Sequence, residues 1–262
     1  MRWRRERAWI RVQRRGRVRL ARGLWVGAEV LVTCGVVVLL LVVHQLWWTN
    51  RQAQEGAQRQ VRTLEQEWGR APDGASEPAP DNGTTTEDGT EAGSGRAGEH
   101  VREGARDPSP PRWDQAYAVL RIPRLGVVAP VAEGVGKRGV LDKGYVGHYP
   151  STAQPGRAGN FAVAGHRNTH GEPFRYINRL RPGDTVEVET RDGVYVYAVD
   201  RALARTTPRD IGVINTVPRS AVRPAAGYSA AGHYLTMTTC TPEYSSKYRL
   251  VVWGKLTSMR PR

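Results

Sequence analysis

An apolar stretch from residue 24 to about residue 43 constrains the fold of this chain more than any other feature of the sequence. Ten arginines and one acid, Glu6, precede it, and Trp47 and Trp48 close it. Trp25 and Trp47 are separated by about 33 Å if the segment is helical, which matches the ~30 Å hydrocarbon thickness of a bilayer. We therefore predict a membrane-spanning helix with tryptophans at both interfaces.

A cleaved signal peptide is the alternative interpretation of this stretch. The apolar run is longer than an ordinary signal core, and no small-residue cleavage site follows it. Glu29 lies inside the span, so it must sit at interfacial depth, be protonated or contact another helix. The arginine excess predicts a single-pass protein of the cell membrane with a cytoplasmic N-terminus and an extracellular remainder.

Composition divides the chain into five predicted segments. These are a basic cytoplasmic N-terminus (1–23), a transmembrane helix (24–48), a helical stalk (49–70), a disordered linker (71–115) and a compact domain (116–262). The linker is rich in Pro, Gly, Asp, Glu, Thr and Ser, so we expect a tether that lets the domain stand off the membrane. The net charge of +14 suggests attraction to an anionic cell envelope, and an extracellular domain argues against nucleic acid as the partner.

The compact domain has the pattern of short β-strands separated by turns. The turns contain Gly, Pro and Asp, and the Arg191-Asp192-Gly193 turn lies between two alternating runs, which predicts a hairpin. Many short strands with few helices predict a closed or nearly closed β-barrel. The predicted strands are Tyr117–Ile122, Val127–Ala132, Phe161–Ala164, Thr185–Thr190, Val194–Arg205, Tyr234–Thr239 and Tyr248–Leu256, with short helices at Pro173–Leu180 and Asp210–Asn215.

Cys240 is the only cysteine outside the apolar stretch, and it ends a predicted strand. A lone cysteine in an exported domain has no disulfide partner, so either packing or thiolate chemistry must explain it. Arg249 begins the next predicted strand, and hairpin pairing would place it at the same end of the sheet as Cys240. Its guanidinium could stabilise negative charge on a substrate carbonyl during thiolate attack.

Thiolate attack requires a base, and histidine is the natural choice. Four histidines lie in the compact domain: His148, His166, His170 and His233. His166 is favoured because it follows a buried-looking strand, begins a polar loop and is preceded by Gly165, which allows close backbone approach. A Cys–His pair of similar proton affinity predicts a bell-shaped pH–rate profile.

These residues resemble the sortase family. The Thr236-Met-Thr-Thr-Cys240 run is similar to the family's Thr-Leu-x-Thr-Cys signature, with Met in the Leu position. Ala164-Gly-His-Arg167 resembles the segment around the family's catalytic histidine, and Arg249 occupies the place of its arginine. The resemblance covers roughly residues 117–256 and is strongest to the class E sortases of high-GC Gram-positive bacteria, through the segments Gln45–Asn50, Gly147–Pro150, Gly159–Arg167 and Cys240–Ser246.

The resemblance implies an eight-stranded sortase β-barrel and a cysteine transpeptidase. Such an enzyme would cleave a Leu-Ala-x-Thr-Gly-like sorting signal after Thr and transfer the acyl group to a peptidoglycan precursor amine, the lipid II stem peptide. Cys240 would be the nucleophile, His166 the general acid/base and Arg249 the oxyanion stabiliser. Substrate-binding roles would fall to Tyr149, with Tyr145 as a competitor, and to Thr238.

We predict no cofactor and no metal site, because no His/Cys/Asp cluster with ligand spacing is visible in the sequence. Two other functions remain open at this point. One is a cysteine hydrolase in which water resolves the thioester, and the other is a non-enzymatic barrel that binds envelope ligands.

Overall fold

The computed structural model describes residues 3–69 and 111–262, with side chains described from Trp25 onward except Leu46. One helix, α1 (Trp3–Gly69), contains both the predicted span and the predicted stalk. From Trp25 onward α1 is long and apolar enough to cross a membrane, which fits a single-pass anchor. The predicted linker lies outside the described residues except for 111–115, where Trp113 pairs with Glu133 in a β-bridge.

Eight strands form a closed barrel in the order β1-β2-β3-β4-β7-β8-β6-β5. Neighbours are antiparallel except for the β2–β3 and β4–β7 pairs, which are parallel. The strands are β1 (Ala116–Ile122), β2 (Val127–Glu133), β3 (Val146–His148), β4 (Gly159–Ala164), β5 (Thr185–Thr190), β6 (Gly193–Thr206), β7 (His233–Thr241) and β8 (Tyr248–Pro261).

The prediction of a mainly β, eight-stranded barrel is confirmed, with corrections to individual elements. The seven predicted strands are present. The eighth, β3, was not among them, because its three residues are too few to show a hydrophobic pattern. Strand β8 continues past the predicted end at Leu256, because β6 pairs with it as far as Pro261. Four 3-10 helices connect the strands: Pro123–Leu125, Leu141–Lys143, Ile177–Arg179 and Ile211–Ile214, the last two lying within the longer predicted helices.

Alternation along β4, β7 and β8 separates an inner face from an outer face. Phe161, Val163 and Leu235 point into the barrel and belong to its main core. Residues at the alternate positions face outward, where Val251 and Trp253 pack in a second cluster with residues of the β6–β7 connection. The outer face of this sheet region is therefore partly covered by the long connection rather than fully open to solvent.

The C-terminal part of α1 packs against the barrel. Val61 and Leu64 are buried in a third apolar cluster with Val119 and Ala132, which lie on β1 and β2. The carboxylate of Glu65 pairs with Arg121 at the same surface. The helix that fits a membrane anchor thus also holds the barrel, so the connection between them does not depend on the linker alone.

Candidate active site

Cys240 and Arg249 lie directly opposite each other in the antiparallel β7–β8 ladder. Directly opposed residues share a face of the sheet, with Cβ atoms about 4.5–5.5 Å apart. Along β7, Met237 and Thr239 point into the barrel, whereas Thr238 and Cys240 point outward. Cys240 is half-buried on this outer face. The predicted meeting of these two residues at one end of the sheet is present in the structure.

His166 lies on the opposite side of Cys240 from Arg249, and the three residues form a row at this end of the sheet. Strands β4 and β7 are parallel, and Ala164 is in register with Thr238, so two further residues bring His166 level with Cys240. The register is held beyond the strand by the Gly165 amide, which donates to the Thr238 carbonyl at 3.1 Å, and by the Thr239 hydroxyl, which donates to the Gly165 carbonyl at 2.8 Å. Histidine, cysteine and arginine therefore lie side by side, with His166 just beyond the end of β4, Cys240 on β7 and Arg249 on β8.

Gly165 is required by the packing beneath this row. A Cβ atom at this position would come within 2.7 Å of the ring of Phe174, which is fully buried. Any side chain would push the strand end away from the core and displace His166 with it. The close approach predicted from the sequence is thus an approach to Phe174.

Asp142 is the partner of His166. Its Oδ1 lies 2.8 Å from His166 Nε2, and both side chains are partly exposed. Asp142 belongs to the 3-10 helix Leu141–Lys143, far from His166 in sequence but adjacent in space. A carboxylate in this position fixes the orientation of the imidazole, and it leaves Nδ1 as the nitrogen that can exchange a proton with a substrate.

Arg167 ties the loop after His166 to the loop after Cys240. It is buried, and its Nη1 donates to the Cys240 carbonyl at 3.2 Å and to the Thr241 hydroxyl at 2.9 Å. Its Nη2 also lies 3.7 Å from a Glu243 carboxylate oxygen. Arg167 therefore fixes the distance between the segments that carry the histidine and the cysteine.

The guanidinium of Arg249 is held by the loop between β7 and β8. Its Nη1 donates to the carbonyls of Ser246 and Tyr248, each at 3.0 Å. Backbone carbonyls thus occupy Nη1 of the guanidinium, and the N–H groups on its other nitrogens remain available for a substrate oxygen. The loop 242–247 and the first residue of β8 thus hold this guanidinium in place.

The two predicted substrate-binding residues contact each other. The Tyr149 hydroxyl lies 3.0 Å from Thr238 Oγ1, two residues before the cysteine on the same face of β7. Tyr145, the competing tyrosine, packs instead with Val61 and Leu64 in the cluster beneath α1. Of the two tyrosines, Tyr149 therefore contacts the face of β7 that carries Cys240.

The remaining histidines of the barrel lie in different settings. His148 is buried, with Nδ1 at 2.7 Å from Glu133 and Nε2 at 2.9 Å from the Thr152 hydroxyl, so its ring nitrogens serve an internal network. His233 is exposed at the start of β7, at the opposite end of the strand from Cys240. Only His170 joins His166, with ring centroids 5.4 Å apart.

Helix α1 contacts both loops that border His166. The Asn50 side-chain oxygen accepts a 2.6 Å hydrogen bond from the Gly171 amide, next to His170. The Ala53 carbonyl lies so near Gly144, which ends the 3-10 helix carrying Asp142, that a Cβ there would approach within 2.9 Å. The first turns of α1 beyond Trp48 therefore contact both loops that surround His166.

Asp142, His166 and His170 each offer a donor atom, and these atoms lie within 4.8 Å of one another. This trio could hold a divalent ion. Sequence spacing did not indicate it, because Asp142 lies 24 residues before His166. The His166-x-x-x-His170 spacing was the one available signal, and it carries little weight in a loop.

Comparison with known proteins agrees with the geometry. A model of the sortase domain matches residues 120–257. Sortase SrtE1 of Streptomyces coelicolor is 41% identical over 239 residues, covering 89% of this chain and 57% of the relative. Sortase SrtE2 of the same organism is 32% identical over 249 residues, covering 93% of this chain and 85% of the relative.

Solved structures give the same result for the barrel. The crystal structure of sortase E1 from S. coelicolor, with a tripeptide in its active site, aligns with a TM-score of 0.54 and 51% identity, covering 57% of this chain and 92% of that one. Sortase E from Streptomyces avermitilis aligns with a TM-score of 0.51 and 42% identity, covering 57% and 93%. The resemblance to class E sortases is confirmed.

Proposed function

Since this chain belongs to the sortase family, we propose that it is a membrane-anchored class E cysteine transpeptidase acting on a Leu-Ala-x-Thr-Gly-like sorting signal. The row formed by His166, just beyond β4, with Cys240 on β7 and Arg249 on β8 carries the proposal. A thiol, an imidazole and a guanidinium in one row support it, because acyl transfer needs a nucleophile, an acid/base and a fixed cation around one peptide carbonyl.

In the first half-reaction, the Cys240 thiolate attacks the carbonyl carbon of the signal's threonine. The developing oxyanion is stabilised by the free N–H groups of Arg249. His166 donates a proton to the departing glycine amine, so the Thr–Gly bond breaks and a thioester remains on the sulfur. In the second, an incoming amine loses a proton to His166 and attacks the thioester, which releases the thiolate.

The position of α1 supports a lipid-linked amine, such as that of lipid II, as the acceptor. Asn50, which binds the Gly171 amide, follows Trp48 by only about 3 Å of helical rise. If Trp47 and Trp48 mark the membrane interface, the loops beside His166 lie near the membrane surface. An acceptor carried on a lipid would reach the thioester there without any movement of the barrel.

Product analysis tests the proposal against hydrolysis. The full-length protein in detergent would be incubated with a Leu-Ala-x-Thr-Gly peptide, with and without an amine acceptor. We expect a threonyl–amine conjugate with the acceptor present and slow hydrolysis without it. Hydrolysed peptide alone under both conditions would support a hydrolase, and an uncleaved peptide with unmodified Cys240 would support a binding module.

Asp142→Asn should impair turnover more than substrate binding. The amide keeps the size of the side chain but loses the carboxylate that orients His166 through Nε2. We expect kcat to fall at least about tenfold with little change in KM, because removing the partner of a catalytic histidine affects proton transfer. Steady-state kinetics of amide transfer provides the measurement, and Asp192→Asn, at the exposed β5–β6 turn, serves as the control. If Asp142→Asn changed kcat and KM no more than Asp192→Asn does, a positioning role for Asp142 would be excluded.

A further inference from the structure

We propose that Asp142, His166 and His170 form a binding site for a divalent transition metal, with Zn²⁺ the best match, and that the bound ion blocks acyl transfer. The blocking effect rests on the proposed function, whereas binding itself does not. Two imidazoles and one carboxylate are a ligand set that Zn²⁺ uses in sites that keep one position open. The site is formed by two loops brought together by the barrel and by α1.

The donor atoms already converge. Asp142 Oδ1 lies 2.8 Å from His166 Nε2 and 3.7 Å from His170 Nδ1, and the three atoms fit within 4.8 Å. Ligands about 2.0–2.1 Å from a tetrahedral ion are separated by roughly 3.3 Å. Small side-chain rotations would therefore suffice to place all three around one ion.

The hydrogen bond between Asp142 and His166 does not account for the surroundings of His170. Its Nδ1 is buried and has no hydrogen-bond partner among the described residues, although it faces the Asp142 carboxylate. A buried ring nitrogen without a partner is disfavoured. An ion bound between these groups would satisfy it.

The positively charged side chains near this site should repel a bound metal ion only weakly, because each already interacts with another group. Arg175 pairs with Glu172, Arg167 lies near Glu243, and the Lys143 ammonium lies over the Tyr145 ring. The Gly171 amide, next to His170, is held by Asn50 of α1. The loop geometry that a metal site needs is thus maintained by contacts outside the site.

A bound ion would inhibit through His166. Coordination at Nε2 requires the neutral ring, whose remaining proton then resides on Nδ1. Such a ring cannot accept a proton from the incoming amine. Its Nε2, bound to the ion, also can no longer donate a hydrogen bond to the Asp142 carboxylate. Metal binding and transpeptidation should therefore be mutually exclusive.

Titration of the metal-stripped, full-length protein in detergent with ZnCl₂, followed by calorimetry, tests the proposal. We expect one equivalent to bind, with the dissociation constant raised at least about tenfold in His170→Asn and Asp142→Asn. His233→Asn, which removes an exposed histidine from the other end of β7, should bind as the wild type does. Absence of binding, or equal binding by His170→Asn and wild type, would refute the site.

Co²⁺ substitution identifies the ligands independently of activity. We expect an absorption spectrum without a thiolate charge-transfer band, unchanged in Cys240→Ala. Loss of the ion in that variant would show that the metal binds the catalytic sulfur instead, which would also overturn the proposal. These readouts stay informative even if no sorting peptide is cleaved, so failure of the metal site and failure of the proposed function can be distinguished.

Discussion

Replacing Cys240 with alanine is expected to abolish both thioester formation and amide transfer. Cys240 lies in register with Arg249 and level with His166, and neither neighbour can supply a nucleophile that leaves as readily as a thiolate. We expect a loss of at least about a thousandfold in transfer rate, as seen when a nucleophile that acts with a base is removed. Mass spectrometry of the protein incubated with a sorting peptide would show the acyl-enzyme in the wild type and not in Cys240→Ala.

The chain provides a matched control in its second cysteine. Cys34 lies in the apolar part of α1, is free and is exposed along the segment that fits a membrane anchor. Cys34→Ala should form the acyl-enzyme and transfer product at wild-type rates. An adduct on Cys34, or transfer that survives in Cys240→Ala, would disprove the assignment of the nucleophile.

The meeting of Cys240 with Arg249 could be predicted because it depends on local patterns. Two neighbouring strands joined by a short loop form a hairpin whose ends must coincide, and the observed ladder pairs the two residues directly. The level position of His166 required the parallel β4–β7 pairing, which no local pattern specifies. From the sequence, strand-end placement and the family's motif indicated His166 as the base, without its register relative to Cys240.

The supporting residues could not be predicted, because they are set by contacts distant in sequence. Asp142 reaches His166 across 24 residues, and Arg167 reaches Thr241 across 74. The choice between Tyr145 and Tyr149 depended on β3, a strand of three residues, and on the packing of α1 over one of them. Sequence indicated the residues that we propose to react, whereas the residues that contact and orient them emerged from the tertiary structure.

The role of α1 changes the expected relation between membrane and barrel. A free tether would leave the active site at variable distance and orientation from the bilayer. In the structure, the helix that fits the anchor continues beyond Trp48 and contacts the loops of Asp142 and His170 through Ala53 and Asn50. The loops beside His166 are thus in direct contact with the helix that fits a membrane anchor.

Leu64→Asp should separate this helix from the barrel and reduce activity without unfolding the barrel. Leu64 is buried between α1 and the outer face of β1 and β2, and the main core lies in a different cluster. Removing a buried leucine costs about 2–5 kcal/mol, and a carboxylate in its place adds the cost of burying charge. We expect faster hydrogen exchange in residues 138–146 and 165–175 and a transfer rate reduced roughly tenfold.

Gln66→Asp provides the comparison, because it adds the same charge to an exposed position of the same helix. It should leave both the exchange pattern and the transfer rate unchanged. Hydrogen-exchange mass spectrometry of the full-length proteins in detergent separates the two outcomes. If Leu64→Asp matched Gln66→Asp in the loops around His166, α1 would serve as an anchor without positioning the active site. If only the Leu64 variant loosens those loops, the helix that holds the protein in the membrane is also part of its catalytic structure.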